Sequence, residues 1–197
     1  MALSSFDPIH SAMLSMDLQS GIVSVYAQDD DLITRAAALL QSGREAGWTI
    51  VHIKVGFRPG LPEIHTRNIL LSAIKESPRH QQLFAGASGS IHPALGPCEG
   101  DLVVTKSRVN AFTGTDLALL LRARDIDTLV LFGIATSGVV LSTTLAAADA
   151  DYRLFIVKDC CADLDETIHA CLMEEIFPRC ATVLSTDELC PMLSGAA

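Results

Sequence analysis

Short apolar, β-branched runs alternate along this chain with longer stretches in which apolar positions recur at three- and four-residue spacing. The pattern predicts strands at 12–16, 49–55, 102–105, 129–132, 154–157 and 181–184. It predicts helices at 31–44 and 67–76, from a Thr115 cap to about 124, at about 138–148 and at 166–177, with a short final helix in the tail from Asp187. The helix at 31–44 has an acidic start and Gly47 just past its end; the one at 67–76 stops before Pro78. Strands this continuously apolar are buried on both faces, which is the habit of parallel sheets. Six of them alternating with helices predict an α/β fold: a three-layer, doubly wound parallel sheet in one domain. A Gly- and Pro-rich stretch around residues 84–97 reads as irregular, and a loop that long inside a domain is usually functional or at an interface.

Open α/β sheets carry their chemistry at the carboxyl ends of the strands. Asp17 ends the first run, Lys106 follows the third, and a turn of small residues from Ala135 to Val139 follows the fourth. A carboxylate is poor strand material, so Asp17 is either a turn cap or a functional group. Lys106 taken alone reads as a solvated strand-end lysine. Backbone N–H groups in the turn suit an anion or an oxyanion, or the turn simply packs closely.

Composition narrows the function classes. The chain has 197 residues, 49% of them hydrophobic and 19% charged, which suits a globular core. A net charge of −9 with no Lys/Arg run argues against nucleic-acid binding. Residues 128–148 carry no charge, but glycines and hydroxyl residues at their centre read as strand, turn and helix rather than a membrane span. The first residues lack a basic segment of the leader type, so a cytoplasmic location is expected. Of six cysteines only Cys160 and Cys161 are adjacent, and none form a Cys-x-x-Cys pair, so free thiols are expected. The histidines at 10, 52, 65, 80, 92 and 169 are scattered. Glu63 and His65 come nearest to a metal pattern but lack a third ligand, so neither a metal nor another cofactor is expected.

Four segments, MDLQSGI (16–22), GDLVVTKSRVNAFTGTDL (100–117), GIATSGVVLSTTLAAADADY (133–152) and KDCCAD (158–163), in this order, resemble the isochorismatase-like hydrolases. The resemblance implies strand order 3-2-1-4-5-6, a non-proline cis peptide in the turn after the fourth strand, and assembly as a homo-oligomer, dimer or larger, with the 84–97 stretch as a candidate interface. Most of that family uses an Asp, a Lys and a Cys. Asp17 and Lys106 match the first two, whereas Val139 stands at the cysteine position, as in a branch that lacks the nucleophile and cleaves a vinyl ether by acid chemistry. The resemblance thus implies catalytic Asp17 and Lys106. From the sheet spacing, Lys106 lies roughly 10 Å away, two strands over, a gap its stem closes in part.

Gln19, Arg58, Asn110, Phe112, Ala135, Thr136, Ser137, Gly138 and Val139 are the candidate substrate-binding residues, with Arg58 a partner for a substrate carboxylate. The expected function is hydrolysis of a small carboxylated molecule such as isochorismate, with Asp17 as general acid. Alternatives are a non-catalytic small-molecule-binding protein on the same scaffold and an amide hydrolase with a displaced nucleophile. Thr136 and Ser137 are set aside as nucleophiles because no base such as His lies near them in sequence, and Cys160 and Cys161 read as packed thiols.

Overall fold

The computed structural model describes residues 6–27 and 31–193. Residues 1–5, on which part of the leader expectation rests, and 194–197, the end of the expected tail helix, lie outside the described residues. Six parallel strands form one sheet: β1 (Ser11–Met16), β2 (Thr49–Val55), β3 (Leu102–Lys106), β4 (Thr128–Ile134), β5 (Arg153–Ala162) and β6 (Thr182–Leu184). Their spatial order is β3-β2-β1-β4-β5-β6, the doubly wound arrangement expected. Every residue of β1 and β4 is buried, as central strands covered on both faces must be. The edge strand β3 instead alternates, with Val104 and Lys106 inward and Val103 and Thr105 exposed.

The helices are α1 (Ser20–Tyr26), α2 (Asp31–Glu45), α3 (Ile69–Glu76), α4 (Pro78–Gln82), α5 (Leu117–Ala123), α6 (Leu141–Asp149), α7 (Glu166–Cys171) and α8 (Thr186–Leu193). Leu32, Ala36, Leu39 and Leu40 make the buried stripe of α2, which packs on β2, β5 and α8. Burying each such leucine contributes roughly 1.5–3 kcal/mol. The charge-free stretch 128–148 is divided between β4, a turn and α6, and no described helix is long and apolar enough to cross a membrane.

Local chemistry explains where the sequence reading and the structure part. The short helix α1, SGIVSVY, was not expected, because seven residues hold too few turns to show a period. The helix expected at 67–76 begins at Ile69, where the Asn68 side chain caps Leu71 N–H. The chain then breaks at Ser77, whose hydroxyl starts α4. Thr115 does bond the Leu117 N–H, but the cap position itself is Asp116. The largest difference is β5, which runs on through Asp159, Cys160 and Cys161. Leu131 pairs with Ile156 but Gly133 with Cys161, so a step of two on β4 faces a step of five on β5. This bulge lets Asp159 leave the sheet and accept hydrogen bonds from Thr186 N–H and Oγ1 at 2.9 and 2.6 Å.

The 84–97 stretch is spent largely on the chain itself. Ile91 bridges to Gln19, Gly89 O accepts from the Gln19 amide, and Leu95 is buried. Just beyond it, Asp101 accepts from Arg44 Nη2 at 2.7 Å and Cys98 N–H at 2.8 Å, and lies 3.1 Å from His52 Nε2, which ties this loop to α2 and β2.

The sheet reverses its winding between β1 and β4, where Met16 pairs with Gly133. Gly133 sits at φ 141°, and a Cβ there would run into the Met16 carbonyl. The glycine therefore sets how closely the two strand ends meet beside Asp17. Gly133→Ala is expected to destabilise the fold by about 2 kcal/mol or more in urea denaturation. Gly138→Ala is expected to stay within about 1 kcal/mol, since its Cβ would meet only side-chain carbons of Ala135 and Val109 at 3.9 Å. Equal losses at the two positions would contradict this role for Gly133.

Candidate active site

Asp17 follows β1 with φ 55°, a conformation that Asp tolerates better than most side chains. Its N–H donates to Ile53 O at 2.9 Å, which ties the residue to the end of β2. Its carboxyl is buried and meets Lys106, the last residue of β3. Nζ donates to Asp17 Oδ2 at 2.7 Å and to Arg108 O at 3.0 Å. The expected gap of two strand spacings is thus closed completely, with the lysine stem passing the end of β2.

Gln19 holds that strand end in place: its Oε1 accepts from Val55 N–H at 2.7 Å, and its Nε2 donates to Val55 O and Gly89 O. Gln19 was expected to contact substrate. Fully buried and with its amide groups spent on backbone, it is a brace instead.

A cavity of about 320 Å³ opens at this point. Asp17, Tyr26, His80, Lys106 and Arg108 are its polar lining residues. Phe57, Leu71, Ile74, Leu83 and Phe84 wall it on one side, and Ala135, Gly138 and Val139 from the turn line another. Oδ1 of Asp17 is buried without a hydrogen-bond partner. Loss of hydration pushes the Asp17 carboxyl up from an ordinary 3.8 to about 6, against the pull of the Lys106 charge and hydrogen bond in the opposite direction. One oxygen is therefore pinned by a cation, while the other is left without a partner and can carry a proton.

The turn begins with a cis peptide between Ile134 and Ala135, and Thr136–Val140 form a single wide π turn before α6. Three of its backbone donors are engaged. Ser137 N–H donates to Asp163 Oδ2 at 2.7 Å, and Gly138 and Val140 N–H both donate to Ala135 O. These three amides offer no ready oxyanion hole.

Of the turn residues expected to bind substrate, Ala135, Gly138 and Val139 face the cavity, whereas Thr136 and Ser137 do not line it. The absence of a base near Thr136 in sequence is corrected in space: His169 Nδ1 lies 2.9 Å from Thr136 Oγ1. The hydroxyl is fully buried, so the pair fastens the turn to α7 rather than exposing a nucleophile.

Three more expected contacts lie elsewhere. Arg58 is largely exposed and pairs with Glu63 at 2.6 Å in a neighbouring groove. Asn110 donates to Ser142 O and accepts from Phe112 N–H, joining the segment after β3 to α6. Phe112 stacks on Tyr152 with ring centroids 6.1 Å apart. Sequence reasoning missed Arg108, Tyr26 and the apolar wall from Phe57 to Phe84. For Arg108 the signal was its place two residues after Lys106, the spacing that returns a side chain to the same side of an extended chain. Among the described residues no group of three or more His, Cys, Asp or Glu is placed to hold a metal ion.

Comparison with known proteins places the chain in a family and matches its fold. A family model described as Isochorismatase domain matches residues 11–188. The chain is 32% identical to an uncharacterized isochorismatase family protein of Bacillus subtilis (strain 168), over 90% of this chain and 91% of that one. It is 29% identical to a probable isochorismatase of Pseudomonas chlororaphis, over 94% and 87%. Among solved structures, an isochorismatase family protein from Burkholderia thailandensis superposes with a TM-score of 0.83 at 27% identity, covering 96% of this chain and 98% of that one.

Cys160 and Cys161 lie outside the cavity, and burial pushes both thiols up, that of Cys161 to about 12. Neither forms a useful thiolate near neutral pH. Alkylation by iodoacetamide under native conditions is expected at the exposed Cys98 and Cys171, with ligand binding and any turnover unchanged within about twofold. Loss of activity that follows modification of Cys160 or Cys161, located by peptide mass, would contradict this arrangement.

Proposed function

We propose a reaction on the premise that this chain belongs to the isochorismatase family: a hydrolase of a small carboxylated molecule, cleaving a vinyl ether such as that of isochorismate with Asp17 as general acid. The observation that carries the reading is the divided environment of the Asp17 carboxyl. Oδ2 is held by Lys106 and Oδ1 is free, in a cavity that raises its affinity for a proton. Val139 at the family's cysteine position has no atom with which to attack, and the Ser137, Gly138 and Val140 amides of the turn are bonded within the protein. Both features disfavour acyl transfer and leave proton transfer as the available chemistry.

In this mechanism Asp17 delivers the proton on Oδ1 to the terminal vinyl carbon, and the electrons of the double bond form the new C–H bond. The cation left behind is an oxocarbenium ion. The Asp17 carboxylate stabilises it, and the Lys106 ammonium keeps that carboxylate positioned. Water adds to the cation, its spare proton returns to Asp17, and the hemiketal collapses to pyruvate and a dihydrodiol. Lys106 is thus a positioning and tuning group rather than a substrate clamp, since its ammonium is already committed. The exposed Ile69 and Leu70 beside the cavity support the further reading that the chain forms a homo-oligomer.

A second reading, a small-molecule-binding protein without turnover, is supported by the same valine and by the depth at which Asp17 is buried. Pyruvate release from isochorismate separates the two. Turnover is expected in the wild type and a loss of more than about a hundredfold in Asp17→Asn. A ligand that binds with no product released from either protein would favour the binding reading.

The pH dependence has a definite sign. Asp17 carries its proton below about 6 and loses it above. kcat/KM is therefore expected to fall as pH rises through about 6, toward tenfold per pH unit. A rate that rises with pH across that interval would make Asp17 a base and overturn the acid mechanism.

A further inference from the structure

The cavity raises a question that Asp17 and Lys106 do not answer: what holds a substrate anion when Lys106 is already spent and Arg58 lies in another groove. We propose that Arg108 is the residue that selects the substrate, its guanidinium binding one carboxylate while Asp17 Oδ1 faces the reacting bond. This rests on the reading of the cavity as the substrate site. Arg108 lines the cavity together with Asp17 and Lys106, and it also borders the groove of Arg58 and Glu63, so it stands on the wall the two share. Its guanidinium donates to two backbone carbonyls, Ser107 O from Nη1 at 2.6 Å and Glu63 O from Nη2 at 3.0 Å. Both acceptors are neutral, so these bonds fix the plane of the group without cancelling its charge. Five N–H donors are present, and those two bonds leave others for a ligand.

The nearest carboxylate in the same loop system, Glu63, is turned onto Arg58 at 2.6 Å. The carboxylate of Asp17 is taken by Lys106. Arg108 therefore has no carboxylate partner among the described residues, in a cavity walled mainly by Phe57, Leu71, Ile74, Phe84 and Val109. A guanidinium oriented beside apolar walls suits an anion, because it matches a carboxylate with two parallel hydrogen bonds. The rest of the ligand must then be apolar enough to cover those walls. A molecule with two carboxylates, isochorismate among them, would place one on Arg108 and leave the other at the rim, where His80 and Leu70 are exposed.

Binding of simple probes tests this without any turnover. Benzoate and neutral benzamide are titrated calorimetrically into the wild type, Arg108→Gln and Arg108→Lys, with thermal melts to show that each variant folds. Benzoate is expected to bind at millimolar concentration or tighter and to lose roughly ten- to hundredfold in affinity in Arg108→Gln. Arg108→Lys is expected to recover part of that loss, and benzamide to bind far more weakly than benzoate. The inference is overturned if folded Arg108→Gln binds benzoate as the wild type does, if the wild type binds benzamide equally well, or if it binds neither. The last two outcomes need no variant, so a misfolded Arg108→Gln leaves the test intact. Arg108-dependent benzoate binding without pyruvate release would sink the reaction and keep the anchor. Pyruvate release with benzoate binding indifferent to Arg108 would do the reverse.

Discussion

A buried carboxyl and a buried lysine in contact impose a condition on everything around them. Taking either charge out of water alone costs several kcal/mol, and removing one partner of such a pair typically costs about 3–5 kcal/mol. Asp17 and Lys106 come from strands that are not neighbours, so the pair forms only if β3, β2 and β1 keep their order and register. Much of the local construction serves that alignment. Gln19 clamps the end of β2, Gly133 lets β4 approach Met16, and the Asp101 cluster with Arg44 and His52 anchors the loop that leads into β3.

The same pair places a titratable carboxyl at a cavity that Val139 lines without an ionisable atom of its own. A carboxyl caught between desolvation and one ammonium titrates near neutrality, which is what an acid working at physiological pH requires. The turn after β4 then becomes a wall. Thr136 is fastened to His169 and Ser137 to Asp163, so the segment is stiff, and Val139 shapes the cavity without chemistry of its own. Arg108 completes the division of labour by leaving its charge uncancelled where Lys106 cannot.

Those features differ in how far the sequence announces them. The sheet was legible because two-face burial forces apolar runs such as 129–132 and because the helices between carry their own period. Asp17 stood out in part because a carboxylate is poor strand material, whereas Lys106 taken alone reads as a solvated strand-end lysine and was singled out by the family resemblance. Gln19, Asn110 and Phe112 were misplaced because a polar or aromatic residue near a site in sequence can equally serve the backbone behind it. Only the fold shows that Gln19 meets Val55 and Asn110 meets Ser142. Arg58 and Arg108 are a close contest in sequence; what decides it is that Glu63 pairs with the first and offers the second only a carbonyl. The run of β5 through its bulge, and the meeting of Thr136 with His169 across thirty-three residues, are long-range facts with no local signal.

Asp17 titrates near pH 6 rather than near 3.8 because burial outweighs its lysine partner. The most direct measurement is the titration of the Asp17 carboxyl itself by carbon NMR of aspartate-labelled protein, with Asp17→Asn to assign the signal. The expected midpoint is about 6, with a further rise in Lys106→Met as the opposing charge is removed. A midpoint at or below the ordinary 3.8 would mean that the ion pair dominates, leaving Asp17 a permanent carboxylate that cannot act as the acid.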